Sequence, residues 1–410
     1  MVFLSTVTRR VASKSFPAAY IASALEKNDT FHSADLSISL SPNRTQLPPE
    51  DQLGFGKIFS DHMLEIDWTA AEGWKKPVIR PFGNLSMHPA SKCLHYGIQL
   101  FEGMKAFKMP NGNVRLFRPE KNMERMVRTA RRSALPGFDG QEFIKCLREL
   151  IKLDSQLVPR EGNNSMYIRP SMIGNEGAPI ISVSNSAKIF VFMTPCGSYY
   201  KSWNAVSLYA DSNLIRAAKG GVGDCKMGSN YGPTIQPGLE GMKEGAEQVL
   251  WLSNERLTEV GAMNIFVYWI NENGEKELVT PPLDDGLILP GVTRDSLLTL
   301  GREWSQRSGL KVSERYPTMD DVKKAVDEGR MIEMFGCGTA AVISPVSEII
   351  HRTREGKKDV VPIPVPQGEE SLAQRFFDRL TGIQKGRYER PGWTYDIEVE
   401  KSKRGNCRFV

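Results

Sequence analysis

Residues 219–232 combine the residue types and the spacing that best suit covalent chemistry. Five of these fourteen residues are glycine, at positions 220, 221, 223, 228 and 232, and Lys226 lies in the densest part of the segment. Glycines permit positive φ and a close approach of the backbone to a bound group. A lysine amine buried in such a loop has a lowered pKa and is a candidate Schiff-base nucleophile, with the phenol of Tyr231 nearby. A solvated lysine on a flexible loop is the alternative.

Three further features supply what a Schiff-base lysine needs if its partner is pyridoxal phosphate. Residues 289–294 (LPGVTR) precede a predicted helix and would offer backbone N–H groups to a phosphate, and residues 336–339 (GCGT) form a second loop with a hydroxyl. Glu259 lies in a strand of apolar neighbours, where a carboxylate would keep a pyridine nitrogen protonated. Taken alone, residues 289–294 could be a helix cap, and Glu259 could end an exposed edge strand. Together they favour a cofactor site.

Five stretches then resemble the branched-chain amino-acid aminotransferases, which are class-IV pyridoxal-phosphate enzymes with a D-amino-acid-aminotransferase-like fold. They are residues 94–107 (LHYGIQLFEGMKAF), 223–232 (GDCKMGSNYG), 257–264 (LTEVGAMN), 289–294 (LPGVTR) and 312–315 (VSER). The likeness extends in order from about residue 52 to residue 385. It implies reversible transfer of the amino group of leucine, isoleucine or valine to 2-oxoglutarate, in a homodimer.

The resemblance implies a role for each site residue. Lys226 forms the internal aldimine and acts as general base, Tyr231 hydrogen-bonds the phenolic oxygen of the cofactor, and Glu259 pairs with the pyridinium. Near the cofactor phosphate and the lysine loop it places Arg125, Arg216, Val292, Thr293 and Thr339. Around the substrate it places Tyr96, Phe101, Tyr167, Arg169, Ala340 and Ala341. We also predict that each pocket is completed by the other subunit, with Tyr167 as the residue that crosses.

Two positions depart from the pattern of the family. A redox C-x-x-C found in some animal members would fall on Ala341 and Ser344, so that thiol switch is absent, and Cys225 and Cys337 do not replace it at that spacing. Ala262 stands where other members have threonine, and it offers no hydroxyl to a substrate.

Two kinds of protein remain as alternatives. A D-amino-acid aminotransferase or an aminodeoxychorismate lyase could share the fold, but the long segment 94–103 argues against both. A non-catalytic relative acting as a scaffold would be expected to lose Lys226, Tyr231 or Glu259, and all three are present.

The elements that must position these residues are of mixed α and β type. Strands and helices without strict βαβ alternation predict an α+β fold. We predict a linker over 26–51, a small domain over 52–198, an interdomain segment over 199–205 and a cofactor domain over 206–410. Predicted strands include 54–59, 60–64, 104–108, 113–117, 165–170, 187–193, 206–210, 248–252, 257–260, 264–270 and 331–335. Predicted helices are 119–134, 138–157, 236–246, 295–306 and one capped by Thr318; the tail after 385 is predicted as a late helix or an extension.

Composition and the amino-terminal residues limit the classes of protein to which the chain can belong. The chain has 410 residues, 40% hydrophobic and 25% charged, with a net charge of +5, which does not by itself indicate a nucleic-acid surface. Six widely spaced cysteines predict reduced thiols rather than disulfides or a zinc site, and no run of 18 apolar residues predicts a membrane span. Residues 1–25 are basic, hydroxyl-rich and free of acids, which predicts a mitochondrial targeting peptide; a disordered basic tail on a cytoplasmic protein is the alternative.

Overall fold

Two large β-sheets with helices packed against them make up the protein, as seen in a computed structural model that describes residues 29–197 and 204–399. The mixture of sheets and helices agrees with the predicted α+β class. The predicted targeting peptide and much of the predicted interdomain segment lie outside the described residues. None of the helices in the two described ranges is long and apolar enough to cross a lipid bilayer.

The first sheet has ten strands and is antiparallel except where β1 meets β4. Its strands are β1 (Ser37–Ile38), β2 (His62–Thr69), β3 (Gly73–Trp74), β4 (Val78–Pro81), β5 (Gln99–Phe101), β6 (Met104–Lys108), β7 (Val114–Phe117), β8 (Ser165–Gly174), β9 (Ser186–Cys196) and β19 (Thr394–Ile397). The order across the sheet is β1-β4-β2-β9-β8-β6-β7-β19, with β3 beside β2 and β5 beside β8.

The second sheet has nine strands and is of mixed direction. Its strands are β10 (Val206–Asp211), β11 (Gln248–Ser253), β12 (Arg256–Val260), β13 (Met263–Ile270), β14 (Lys276–Thr280), β15 (Lys311–Glu314), β16 (Met331–Gly338), β17 (Val342–Arg352) and β18 (Lys358–Pro362). The order is β12-β11-β10-β17-β16-β13-β14-β15, with β18 beside β17. Strand β10 runs parallel to β11 and β17, and β14 runs parallel to β15.

Seven α-helices cover the sheets within the described ranges. They are α1 (Lys92–Tyr96), α2 (Pro119–Arg132), α3 (Gly140–Leu153), α4 (Ile235–Lys243), α5 (Val292–Ser308), α6 (Met319–Asp327) and α7 (Leu372–Gln384). Helix α2 packs into the first core through Met123 and Met126, which are buried. Helix α6 begins with the predicted capping box, since the Thr318 side chain and Asp321 exchange hydrogen bonds with each other's backbone. Short 3-10 turns occur at Ser33–Asp35, Glu50–Gln52, Ser155–Leu157, Gly228–Asn230, Gly232–Thr234 and Gly368–Glu370.

Three sequence predictions need correction. Residues 54–59 form bends and not a strand, because Gly54 and Gly56 interrupt the run and Gly56 takes a φ of +68°. The described part of the predicted linker is folded onto the first sheet, since β1 pairs with β4 and Phe31 is 2% exposed in the core. The tail is an extension, as one of the two predictions had it, but β19 pairs with β7 of the first sheet rather than with the second.

Candidate active site

The lysine loop, residues 219–232, crosses from the second sheet to the first and is attached there by its backbone. Phe101 N–H on β5 donates to the Lys226 carbonyl at 3.1 Å, and Lys226 N–H donates to Thr129 Oγ1 on α2 at 3.2 Å. Only Gly220 among the five predicted loop glycines has a positive φ, of +80°. Gly223 is required for a different reason, because a Cβ there would lie 2.5 Å from Ala217 Cβ and 2.7 Å from the Gly286 carbonyl oxygen.

Lys226 and Tyr231 meet as predicted. Lys226 Nζ lies 3.3 Å from the Tyr231 hydroxyl, and the two aromatic rings of Phe101 and Tyr231 pack edge to face at 4.7 Å beside it. Desolvation lowers the pKa of Lys226 to about 7, and the positive charge of Arg125 adds to this effect. Removal from water raises the pKa of Tyr231 to about 12, so the phenol remains protonated at neutral pH. The pair therefore consists of an amine with a pKa near neutral pH and a phenol that can donate a hydrogen bond to it.

Glu259 on β12 is buried, and Arg216 is its ionic partner. Arg216 Nε lies 3.0 Å from Glu259 Oε2, while Leu289 N–H donates to Oε1 at 2.6 Å. The other guanidinium nitrogens of Arg216 donate to the carbonyls of Gly223 and Leu287, which places Arg216 near the lysine loop as predicted. Burial raises the pKa of Glu259, and Arg216 offsets this only in part. The pairing of Arg216 with Glu259 was not predicted.

Arg125 lies inside the site and pairs with a residue that the sequence analysis missed. Its Nε and Nη2 donate to the two oxygens of Glu102, each at 2.7 Å, and Nη1 donates to the Pro290 carbonyl at 3.0 Å. Glu102 is fully buried and accepts a further bond from Asn122. A signal existed in the sequence, because Glu102 interrupts an apolar run just as Glu259 does, and a buried charge requires a partner.

The predicted phosphate residues come together near the start of α5. The helix begins at Val292, three residues earlier than predicted, and its N-cap is Gly291, which has no side chain to cap the first N–H groups. A Cβ at Gly291 would lie 2.1 Å from Asn264 Oδ1, so only glycine fits there. Thr293 and Thr339 line the same small cavity as Val292. An uncapped helix N-terminus with adjacent hydroxyls suits an anion.

The turn that follows β16 approaches the first sheet through a lysine. Lys105 Nζ on β6 donates to the Ala340 carbonyl at 2.7 Å. Val342, two residues later, has a φ of +65°, which is a strained conformation for a β-branched residue. Ala341 is buried beside it. Cross-sheet bonding thus holds the 339–341 turn in a fixed shape.

Three of the predicted substrate residues form one cluster. The Arg169 guanidinium lies 4.8 Å from the centre of the Phe101 ring and 5.1 Å from that of Tyr167, and Arg169 Nη2 donates to the Tyr167 hydroxyl at 3.0 Å. Arg169 Nε is buried without a hydrogen-bond partner among the described residues. Tyr96 is not in this cluster: it lies at the end of α1 with 37% of its surface exposed.

The predicted crossing of Tyr167 to another subunit is wrong. Tyr167 is 6% exposed within its own chain, and its ring packs at 4.9 Å from that of Phe55. Its strand, β8, lies in the centre of the first sheet between β6 and β9, so the side chain is committed to the pocket of the same chain.

The two cysteines considered in the sequence analysis, Cys225 and Cys337, have raised pKa values. Burial raises the pKa of Cys225 to about 11, with a contribution from Asp224, and burial raises the pKa of Cys337 well above the ordinary thiol range. A thiol with a raised pKa forms little thiolate at neutral pH.

Comparison with known proteins identifies relatives over almost the whole chain. Residues 99–349 match the family of amino-transferase class IV. The chain is 46% identical over 387 residues to the cytosolic branched-chain-amino-acid aminotransferase of Mus musculus, covering 93% of this chain and 98% of the relative. It is 48% identical over 364 residues to the mitochondrial one of Rattus norvegicus, covering 88% and 90%.

A solved structure supports the same fold. The branched-chain amino acid aminotransferase of Thermobaculum terrenum in its PLP (holo) form superposes with a TM-score of 0.64 at 20% identity, covering 83% of this chain and 99% of the other. At that identity the likeness concerns the fold, and the activity is argued from the closer relatives and from the site.

Proposed function

Because the chain belongs to the class IV aminotransferases, we propose that it exchanges amino groups between leucine, isoleucine or valine and 2-oxoglutarate, with pyridoxal phosphate as cofactor. Relatives of both cytosolic and mitochondrial type that share almost half of its residues are branched-chain-amino-acid aminotransferases. The observation that carries the proposal is the amine of Lys226, 3.3 Å from the Tyr231 hydroxyl and near enough to the buried carboxylate of Glu259 for that charge to act on it. A scaffold protein would have no use for these groups.

The described residues suit pyridoxal phosphate because they offer hydrogen-bond donors, positive charge and a carboxylate to which the cofactor would bind. The first turn of α5 presents uncapped N–H groups for the phosphate, with Thr293 and Thr339 beside them. Arg125 contributes positive charge next to Pro290 at the start of that turn. Glu259 Oε2 accepts a bond from Arg216 alone and retains capacity for a protonated ring nitrogen. When bound, pyridoxal phosphate supplies an electron sink for charge that develops at the α-carbon of the substrate.

Lys226 has the properties of a proton carrier at neutral pH. Because its pKa is lowered to about 7, a large fraction of the amine is neutral and can accept the proton from the α-carbon of the amino acid. The same ammonium then has a proton to return. The Tyr231 hydroxyl at 3.3 Å fixes the position of Nζ, and the Phe101 ring, 4.7 Å from Nζ, excludes water from one side.

The Phe101, Tyr167 and Arg169 cluster explains how one pocket could accept two kinds of acid. The two aromatic rings provide an apolar wall for a branched side chain. Arg169 Nε has no hydrogen-bond partner among the described residues and is a donor for a carboxylate, including the second carboxylate of glutamate or 2-oxoglutarate. We infer that Arg169 contributes to recognition of both substrates.

The proposal is tested with purified, cofactor-loaded protein and a panel of amino acids. Leucine, isoleucine and valine with 2-oxoglutarate should each yield glutamate, whereas aspartate and D-alanine should not. Lys226→Ala should abolish turnover, while Lys219→Ala, an exposed lysine of the same loop, should retain it. Turnover of D-amino acids in preference to the branched L-amino acids would reject the substrate class, and full activity of Lys226→Ala would reject the catalytic assignment.

We propose that residues 1–25 direct the protein to mitochondria. The support is their basic, acid-free composition, since relatives occur in both compartments. A fluorescent reporter carrying residues 1–25 should enter mitochondria, and Arg9/Arg10→Glu should leave it in the cytosol. A reporter that remains cytosolic with the native segment would reject the assignment.

We also propose a homodimer. Closed two-fold pairing is the commonest assembly of soluble enzymes, and the water-free pocket that the reaction needs is easier to cover with two chains. Tyr96, exposed on its own chain, replaces Tyr167 as the candidate residue that completes a partner's pocket. Mixing Lys226→Ala with Tyr96→Ala subunits should then restore activity on subunit exchange. Full activity in a sedimenting monomer would refute the dimer.

A further inference from the structure

A second cavity, well separated in sequence from the lysine loop, is lined by four positively charged side chains. It has a volume of about 390 Å³ and lies between the tip of the β6–β7 hairpin, the loop before β8 and the segment after α7. Lys108 comes from the hairpin, Arg160 from the loop, and Lys385 and Arg387 from the segment after α7. Its size is within the range of small-ligand sites.

None of these four cations forms an ion pair with a carboxylate of the described residues. Lys108 Nζ donates to the Ser155 carbonyl at 3.2 Å, and Lys385 Nζ donates to the Asn164 carbonyl at 2.7 Å. Arg387 Nη2 donates to the Thr381 hydroxyl at 3.1 Å. A lysine ammonium has three donors and an arginine has five, so most of the donors around this cavity have no protein acceptor.

The one carboxylate whose charge acts on Lys385 is already engaged. Glu50 accepts hydrogen bonds from the backbone N–H groups of Arg160 and Glu161, both at 2.8 Å, and from the Asn164 side chain at 3.0 Å. Its role is to hold the loop before β8 in place. Glu50 offsets part of the charge of Lys385 from a distance, but it forms no ion pair with any of the four cations among the described residues.

A cavity elsewhere in the protein shows that such cations are ordinarily paired. This cavity, of about 280 Å³, is also lined by four cations, Lys311, Arg315, Lys324 and Arg330. Each of them forms an ion pair, in the same order with Glu275, Glu277, Glu272 and Glu328. The two cavities have the same number of cations, but Glu272, Glu277 and Asp321 line the paired cavity and no Asp or Glu of the described residues lines the other, which leaves its cations unpaired.

The cations that line this cavity repel one another, and a bound anion would reduce that repulsion. Lys108 is buried, and burial together with the nearby charge of Arg160 lowers its pKa. Burial also lowers the pKa of Lys385 to about 8, with further contributions from Lys105 and Arg387. Like charges held together in a concave site raise the local concentration of anions.

We propose that the cavity formed by Lys108, Arg160, Lys385 and Arg387 is a binding site for a polyphosphate group, distinct from the cofactor site. Four cations match an anion of three or more negative charges better than a monovalent ion. The planar forks of Arg160 and Arg387 suit phosphate oxygens in bidentate geometry, and the two ammonium groups act as point charges. A nucleoside triphosphate and free tripolyphosphate share this chemistry.

The experiment titrates the pyridoxal-phosphate-loaded protein with tripolyphosphate in an isothermal calorimeter at constant ionic strength. Using holoenzyme keeps the cofactor phosphate site filled. One site per chain is expected, with affinity reduced about tenfold or more in Arg387→Gln, a change at an exposed position that should not affect folding or basal transamination. Lys311→Gln in the paired cavity is the matched control and should bind as the parent protein does.

Further titrations, with ATP and with citrate, identify which kind of anion the site binds. ATP binding more tightly than tripolyphosphate would indicate a nucleotide, and equal binding would indicate the polyphosphate group alone; each outcome supports the site. Citrate binding as tightly as tripolyphosphate would overturn the polyphosphate class. Absence of measurable heat, or equal losses in Arg387→Gln and Lys311→Gln, would overturn the site itself.

Discussion

Two buried carboxylate–arginine pairs flank Lys226, one in each half of the protein, and they differ in how fully the carboxylate is satisfied. Glu102 receives both arms of the Arg125 fork at 2.7 Å, together with Asn122 at 2.9 Å. Glu259 receives one arm of Arg216, Nε at 3.0 Å, because the other guanidinium nitrogens are bonded to backbone carbonyls; its second oxygen accepts from Leu289 N–H at 2.6 Å and from Asn264 Nδ2 at 3.4 Å. The same pair of residue types thus has two geometries.

The difference appears in the direction in which the pKa of each carboxylate is shifted. Burial opposes ionisation of Glu102, but the Arg125 charge and its hydrogen bonds outweigh burial and hold the pKa of Glu102 below its ordinary value. For Glu259 burial prevails, and its pKa is raised. A saturated carboxylate stabilises structure, whereas an incompletely neutralised one can still share a proton with a ligand. We therefore propose that Glu102 positions Arg125 and that Glu259 takes part in the cofactor chemistry.

The largest expected effect is on stability, from Glu102→Gln. The change leaves the buried Arg125 guanidinium without its counter-charge, and breaking a buried pair in this way costs about 3–5 kcal/mol. Urea unfolding monitored by fluorescence measures the loss in the free energy of unfolding. Glu389→Gln, which removes the exposed partner of Arg115, is the control and should cost about 1 kcal/mol or less. Similar losses in both variants would mean that the first pair is not a structural anchor.

The next effect is on rate, from Glu259→Gln. An amide cannot stabilise a protonated ring nitrogen, so kcat should fall by about 100- to 1,000-fold, comparable to loss of one preorganised electrostatic group. Stability should change less than in Glu102→Gln, because Arg216 keeps its bonds to the Gly223 and Leu287 carbonyls, whereas Arg125 loses the counter-charge that both arms of its fork contact.

Glu333→Gln is the matched control for that rate effect. Glu333 is also buried in the second sheet with a raised pKa, but it accepts bonds from Ser371 and from backbone N–H groups at the start of α7, away from Lys226. It should alter stability and leave kcat unchanged. If kcat fell equally in both variants, the rate loss would reflect general damage to the sheet.

The smallest expected effect is a shift in pH dependence. Because desolvation lowers the pKa of Lys226 to about 7, the neutral amine increases as pH rises through about 7, and cofactor capture by the apo-protein should accelerate over that interval. The negative charge of Glu259 raises the pKa of Lys226, so Glu259→Gln should move the midpoint to lower pH. Stopped-flow absorbance measures the capture rate. A midpoint near the ordinary lysine pKa would show that the amine is solvated.

Local sequence was sufficient to predict the parts of the site whose residues are close together along the chain. Lys226 and Tyr231 are five residues apart in one glycine-rich loop, and their side chains meet. Glu259 was recognisable as a charge within an apolar strand, where burial demands a partner. The hairpin of β6 and β7 and the capping box of α6 also follow from local residue types, because their hydrogen bonds close over a few residues.

Partners that are distant in sequence were not predictable in the same way. Arg125 was expected at the cofactor phosphate from the family resemblance, but its partner Glu102 was not predicted, because the pairing joins two segments that only the fold brings together. Tyr167 was assigned to the wrong chain, because a strand's sequence does not say that it lies in the centre of a sheet. The pairing of β19 with β7 likewise joins residues that are almost 280 positions apart.

The sequence by itself determined the reactive groups, since a lysine among glycines, a nearby phenol and a carboxylate in an apolar strand are properties of residue type and short spacing. Only the tertiary structure decided how each charge is neutralised. Whether Glu102 or Glu259 is saturated depends on which donors of Arg125 and Arg216 reach them at 2.7–3.0 Å, and that distance is set by packing of two sheets. The opposite pKa shifts, and with them the proposed division between structural and chemical roles, arise from that packing because burial and hydrogen bonding act on pKa only once the chain has folded.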